Sequence, residues 1–149
     1  MKAIEKLIAR EDFKQNDSWK VVTYQAGEEI ITKGESSRSI YYIIQGKVNV
    51  LGVVEITEGS KAHPSVSEIS KGEVFGELVL FDNEPRSASV VCMIDCELIV
   101  IDGDKLLLYL ENNTDFGFPF LMEIVSSLVT RLRATNDKIF SLFSWGLNN

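Results

Sequence analysis

The sequence predicts a mainly β domain, a sandwich or barrel, with one short helix before it and longer helices after it. Three observations predict this class. Between Trp19 and Ile101, apolar and β-branched residues fall in short segments at close spacing, broken by Gly34, Gly46, Gly59, Gly72 and Gly76. Segments of that length and spacing fit a sandwich or barrel better than a parallel sheet with crossover helices. At both ends the apolar positions change to helical spacing. A chain of 149 residues, 45% of them hydrophobic, is long enough for one domain with a sizeable core, and a single domain over residues 1–149 is expected.

In chain order, Ile4, Leu7 and Ile8 share one face of a short N-terminal helix. Trp19 to Gln25 opens the β region, and Ala26-Gly27-Glu28 turns it. Strands follow over Glu29 to Lys33, Ser39 to Gln45, Lys47 to Val54, Val66 to Ser70, Ala88 to Met93 and Cys96 to Ile101. Gly59 to Pro64 reads as a loop. Tyr41 and Tyr42 point to opposite faces of their strand, one to the core and the other to solvent or a neighbouring helix. Asp102 or Asp104 caps a helix through Leu106 and Leu110 that ends at Asn112-Asn113, and a longer helix begins near Asp115 to Pro119. Along this second helix Leu121, Val125, Leu128, Leu132, Thr135, Ile139 and Leu142 are spaced 4, 3, 4, 3, 4 and 3 apart. That heptad spacing buries one stripe against another helix; the alternative is a helix packed only on its own β region. Phe140, Phe143 and Trp145 lie beside or beyond the stripe and need cover.

Composition excludes several function classes. A net charge of −7 opposes direct binding to nucleic acid, which requires Lys and Arg to displace counterions from phosphates. No apolar run reaches the ~18 residues of a membrane span, and the start Met1-Lys2-Ala3-Ile4-Glu5-Lys6 is amphipathic rather than a signal sequence. The expected setting is the cytoplasm, without membrane attachment. Cys92 and Cys96 are then a reduced, core-facing pair. His63 is the only histidine and falls in the segment read as a loop, Gly59 to Pro64, so a metal centre has little support, a Ser-His-Asp or Cys-His arrangement is not convincingly built around it, and no enzyme is expected.

The segment from Phe75 to Val90, FGELVLFDNEPRSASV, carries the chemistry. Glu77 to Phe81 can form only about one helical turn before Asp82-Asn83 and Pro85 stop it. A helix start exposes unpaired N–H groups and a partial positive charge, which suit an anion. Arg86 adds a planar guanidinium able to grip phosphate through two parallel hydrogen bonds. Glu77, acceptor-only when ionised, repels phosphate and suits a sugar hydroxyl beside it. A plainer reading is that Glu77 and Arg86 pair with each other across a tight turn, worth only about 0–1 kcal/mol.

This segment resembles the phosphate-binding cassette of cyclic nucleotide-binding domains, the family of the catabolite activator protein and the kinase regulatory subunits. A second stretch, Lys33 to Val48, resembles the family's strand-turn-strand core, and the resemblance covers roughly Trp19 to Arg133. It implies a flattened, jelly-roll-like β-roll over about 19–101 with a helical region over about 102–145. In this family the Glu of the motif binds the ribose 2′-OH and the Arg binds the cyclic phosphate, roles that fall on Glu77 and Arg86. Gly76, Leu78, Ser87 and Ala88 are implied to complete the phosphate cradle, and Thr135 and Asn136 are the candidates to meet the base. The ligand implied is a 3′,5′-cyclic nucleotide, cAMP by preference, with cGMP left open by Ser87. No cofactor or metal is implied. Occupancy is expected to be reported by the C-terminal helix to an effector protein or to a second copy in a homodimer, since the sequence stops at Asn149 without DNA-binding helices or an enzymatic region. The alternative is a β-roll that has lost its ligand and serves only assembly.

Overall fold

The computed structural model describes residues 1–148, and its elements follow from which faces the sequence can bury. Two short helices, α1 (Lys2–Ile8) and α2 (Glu11–Lys14), precede ten strands. These are β1 (Trp19–Tyr24), β2 (Glu29–Ile31), β3 (Ser39–Gln45), β4 (Lys47–Leu51), β5 (Val54–Thr57), β6 (Ser60–Ala62), β7 (Ser65–Ser70), β8 (Val74–Phe75), β9 (Ser89–Cys92) and β10 (Cys96–Asp102). A 3₁₀ helix, Glu77–Leu80, sits between β8 and β9, and α3 (Gly103–Asn112) and α4 (Thr114–Asn148) close the order. The strands form two antiparallel sheets, ordered β1-β10-β3-β8 and β2-β9-β4-β7, with β5 and β6 as a separate hairpin. This is the mainly β roll with flanking helices expected from the sequence.

The apolar run of β3 is continuous because both of its faces are buried. Tyr41 and Ile43 face the β2-containing sheet with Val48, Ile69, Phe75, Val90 and Leu98, and the Tyr41 ring stacks on Phe75 at 4.9 Å. Ile40 and Tyr42 face the helices, in a second cluster with Ile4, Leu7, Phe13, Leu106, Phe120 and Ile124. Tyr42 therefore meets α1 rather than solvent, and its hydroxyl donates to Glu5 Oε1 at 3.3 Å. Cys92 and Cys96 are free, buried thiols in the inter-sheet cluster.

Asp102, not Asp104, caps α3: its carboxylate accepts from the backbone N–H of Asp104 and Lys105, both at 3.0 Å. Pro119 is the sixth residue of α4, beyond the first turn, so the helix continues through it with Asp115 O lacking its intrahelical N–H donor. The region read as loop, Gly59 to Pro64, instead contains β6, paired with β5 around Gly59. All four residues of β5 are exposed, so no alternating burial pattern marks it in the sequence. On α4, Gly117 is buried against Leu110 of α3, and Phe120 and Ile124 are buried in the second cluster, with Leu121 and Leu128 partly so. The other apolar heptad positions, Val125, Leu132, Ile139 and Leu142, are 43%, 61%, 56% and 70% exposed.

Candidate ligand-binding site

Gly76 makes the site geometrically possible. It caps the 3₁₀ helix in the left-handed region, φ +79°, which glycine adopts without steric cost. A Cβ there would also lie 3.1 Å from Arg86 Nη1 and 3.2 Å from the Ser39 carbonyl oxygen. The chain turns at Gly76 from β8 into the 3₁₀ helix, and Glu77 follows as a buried carboxylate, 4% exposed.

Arg86 is 7% exposed, and everything it bonds is neutral. Nη1 donates to Gly76 O at 2.9 Å, Nη2 to Ser39 O at 2.6 Å and to Ser37 Oγ at 3.1 Å, and Nε to Ser37 Oγ at 3.2 Å. No carboxylate among the described residues forms an ion pair with it. Burial lowers its pKa, and Arg38 adds to that, while Tyr41, Glu35 and Glu77 act against it. A guanidinium nonetheless stays charged in proteins. Arg86 is thus a buried cation in want of an anion.

Glu77 does not pair with Arg86. Its partner is Arg131 of α4, whose Nη1 donates to Glu77 Oε1 at 2.6 Å and whose Nη2 donates to the Val74 carbonyl. Only one carboxylate oxygen is used; Oε2 accepts no hydrogen bond from a described residue. Sequence reading missed Arg131. The available signal was its position three residues after Leu128 and four before Thr135, on one helical face.

These groups line one cavity of about 430 Å³, a size usual for small-molecule sites. Gly76, Glu77, Leu78, Arg86, Ser87 and Ala88 all lie on its wall. On the α4 side the wall includes Leu128, Arg131, Thr135 and Lys138, and Lys138 Nζ reaches across to Val66 O at 2.9 Å. Of the two residues expected near a base, Thr135 lines the cavity. Asn136 is exposed and does not. A second hollow of about 490 Å³ opens between β1 and the start of α3, lined by both acids and bases. It holds no buried charge that demands a counter-ion.

Residues 21–113, more than half of the chain, match the model of the cyclic nucleotide-binding domain. The chain belongs to this family. Among similar proteins, the cAMP-activated global transcriptional regulator CRP of Salmonella typhimurium is 32% identical over 120 residues, 80% of this chain and 53% of that protein. The cGMP-dependent protein kinase 2 of Mus musculus is 29% identical over 136 residues, 89% of this chain and 17% of that protein. The chain therefore spans about half the length of the CRP proteins it matches, and far less of the kinase. A solved cyclic nucleotide-binding domain from Methylobacillus flagellatus shares the fold, with a TM-score of 0.74 at 24% identity over 85% of this chain and 69% of that one. None of the described helices of this cyclic nucleotide-binding domain is long and apolar enough to cross a membrane.

Proposed function

We propose that this domain binds a 3′,5′-cyclic nucleotide in the 430 Å³ cavity and transmits occupancy through α4 to an effector protein or a second copy of itself. The observation that carries the reading is Arg86: a buried guanidinium without a counter-ion, beside the start of the 3₁₀ helix. A cyclic phosphodiester supplies one negative charge and acceptor oxygens for both the guanidinium and nearby backbone N–H groups around Gly76, Leu78, Ser87 and Ala88. The ribose 2′-OH donates to the open Oε2 of Glu77, and the base lies toward Thr135. These groups suit recognition of an anion and a sugar hydroxyl, and recognition is the proposed role.

Similar proteins named for cAMP and for cGMP both occur, and the preference for cAMP is supported by the slightly higher identity to the cAMP-activated bacterial regulators, 32% against 29%. We favour cAMP; Ser87, beside Arg86 on the cavity wall, is the residue that would favour guanine. Output through a homodimer is favoured by the exposed apolar positions Val125, Leu132 and Ile139 on α4. The chain's own acidity argues against direct contact with nucleic acid, and the proposed setting is the cytoplasm.

The test is thermal unfolding of the domain with and without cAMP or cGMP, followed by competition of each against a fluorescent cyclic nucleotide. A ligand at about 100 times its Kd stabilises the native state by roughly 2.7 kcal/mol. A shift with neither nucleotide favours the alternative of a β-roll serving only assembly, and a tenfold preference for cGMP overturns the cAMP assignment.

A further inference from the structure

Whereas Arg86 meets the start of the 3₁₀ helix at Gly76, the guanidinium of Arg38 meets its C-terminal end. It makes four polar contacts with three different parts of the chain. Nε donates to Asp104 Oδ1 at 2.7 Å, in the first turn of α3. Nη2 donates to Val79 O at 2.7 Å, and Nη1 to Asp82 O and Asn83 Oδ1, each at 3.2 Å. The Arg38 backbone carbonyl also accepts from Gly103 N at 2.9 Å, in an approach so close that a Cβ on Gly103 would stand 2.3 Å from that oxygen.

The last carbonyls of a helix lack intrahelical donors, and a basic side chain can cap them. Leu78 O is served by the N–H of Phe81 and Asp82, at 3.0 and 3.3 Å, whereas Val79 O receives Arg38. The neighbours of Arg38 hold the front of the same element: Ser37 Oγ and Ser39 O accept from Arg86, which itself donates to Gly76 O at the helix start. Three consecutive residues, Ser37 to Ser39, thus fasten the segment from Gly76 to Arg86 at both ends.

We propose that Arg38 is a positioning residue for the ligand site: it clamps the rear of the 3₁₀ helix to α3 so that the front amides and Arg86 are set before ligand arrives. The inference rests on reading the cavity as the cyclic nucleotide site. Arg38 is not among the residues lining that cavity, so its influence on affinity is indirect. Preorganised donors raise affinity because the cost of ordering them is met during folding. A lysine replaces it only in part, because one ammonium on a flexible stem cannot serve four acceptors in a planar fork.

The experiment compares Arg38→Ala, Arg38→Lys and Asp104→Ala in the full chain. Cyclic nucleotide affinity is measured by calorimetry, and amide hydrogen exchange is measured without ligand. Expected are an affinity loss of about tenfold or more for Arg38→Ala, partial recovery in Arg38→Lys, and a loss under about threefold for Asp104→Ala, whose carboxylate is mostly exposed. Exchange should accelerate at Phe81 and Asp82 and stay unchanged at Ile43 and Leu98 in the central strands. Should Arg38→Ala fail to fold, Arg38→Lys carries the same comparison. Affinity within twofold of the parent overturns the proposal, as does faster exchange spread equally to Ile43 and Leu98. If the parent chain binds neither cAMP nor cGMP, the functional reading fails, and exchange at Phe81 and Asp82 alone decides whether Arg38 holds the segment.

Discussion

Replacing Arg86 by alanine separates binding from folding more sharply than any other single change. In the free protein the guanidinium is buried without a counter-ion, so its desolvation already weighs against the native state. Removing it relieves that cost but leaves Gly76 O and Ser39 O without their donor, at about 1–3 kcal/mol for each oxygen that stays dry. The two effects oppose each other, and the variant should remain folded with only a modest change in Tm. Binding is different, because nothing offsets the loss. Truncating one partner of a buried, charge-assisted pair costs about 2–5 kcal/mol, or roughly 30- to 5000-fold in Kd. With ligand at about 100 times the parent Kd, the parent gains roughly 2.7 kcal/mol, which for a domain of this size is a shift of about 5–11 °C. A 100-fold weaker variant at the same ligand concentration gains only about 0.4 kcal/mol, a shift near 1 °C. Calorimetric titration then gives the Kd directly. Undiminished binding in a folded Arg86→Ala variant would refute the argument that the uncompensated cation is the phosphate contact.

Three further outcomes follow from the same geometry. Leu132→Asp should dissociate a dimer built on α4, since Leu132 is 61% exposed and free of the roll. Leu128 is a poorer probe because it also packs on the chain's own core. Light scattering that finds the parent monomeric, with and without ligand, removes the dimer. Burial, with Cys96 adding to it, pushes the Cys92 thiol up to about 12. A pKa raised on folding contributes stability that is fully present below the unfolded value near 8.5 and lost as pH rises toward 12. Urea midpoints should therefore fall across that window, and Cys92→Ala should flatten the slope by up to about 1.4 kcal/mol per pH unit; an unchanged slope counts against this assignment. Glu77→Ala should weaken binding through the lost ribose contact, and calorimetry showing parent affinity would exclude that contact.

The elements most legible in the sequence are those whose neighbours in sequence determine them. β3 spans Ser39–Gln45 as expected, because a run apolar on both faces has no other use in a short strand. The residues of the Phe75–Val90 segment meet around one cavity because Gly76 and Pro85 constrain the chain locally. Arg131 was not legible, because which face of α4 meets the roll is decided elsewhere. That face is set by the crossing at Gly117, where a Cβ would come within 2.8 Å of Leu110 O, so α3 and α4 approach as closely as they do only with glycine there. The α2 turn was missed for a related reason: a single buried aromatic, Phe13, carries no periodicity. The heptad spacing read correctly as an apolar stripe, yet spacing alone does not divide that stripe between the roll and a partner. The structure assigns Leu121 and Leu128 to the roll and leaves Val125 and Leu132 exposed.

Glu77 joins the ligand site to α4, and the sign of that coupling can be tested at Arg131. One carboxylate oxygen holds Arg131 while the other accepts no hydrogen bond. If the ribose hydroxyl uses the open oxygen, the ion pair persists, and Arg131 helps by orienting the carboxylate and withdrawing it from competing contacts. If the hydroxyl instead displaces Arg131, ligand and helix compete for Glu77. Coupling is reciprocal: whatever ligand does to the helix contact, the contact does to ligand affinity. The open oxygen favours coexistence, so Arg131→Ala should lower affinity by several-fold. It should also destabilise the free protein by up to about 3 kcal/mol, the low end for unpairing a buried carboxylate, because Arg131 is itself partly exposed. Competition predicts the opposite sign, tighter binding in Arg131→Ala, and that result would make the Glu77–Arg131 pair a latch that ligand must open.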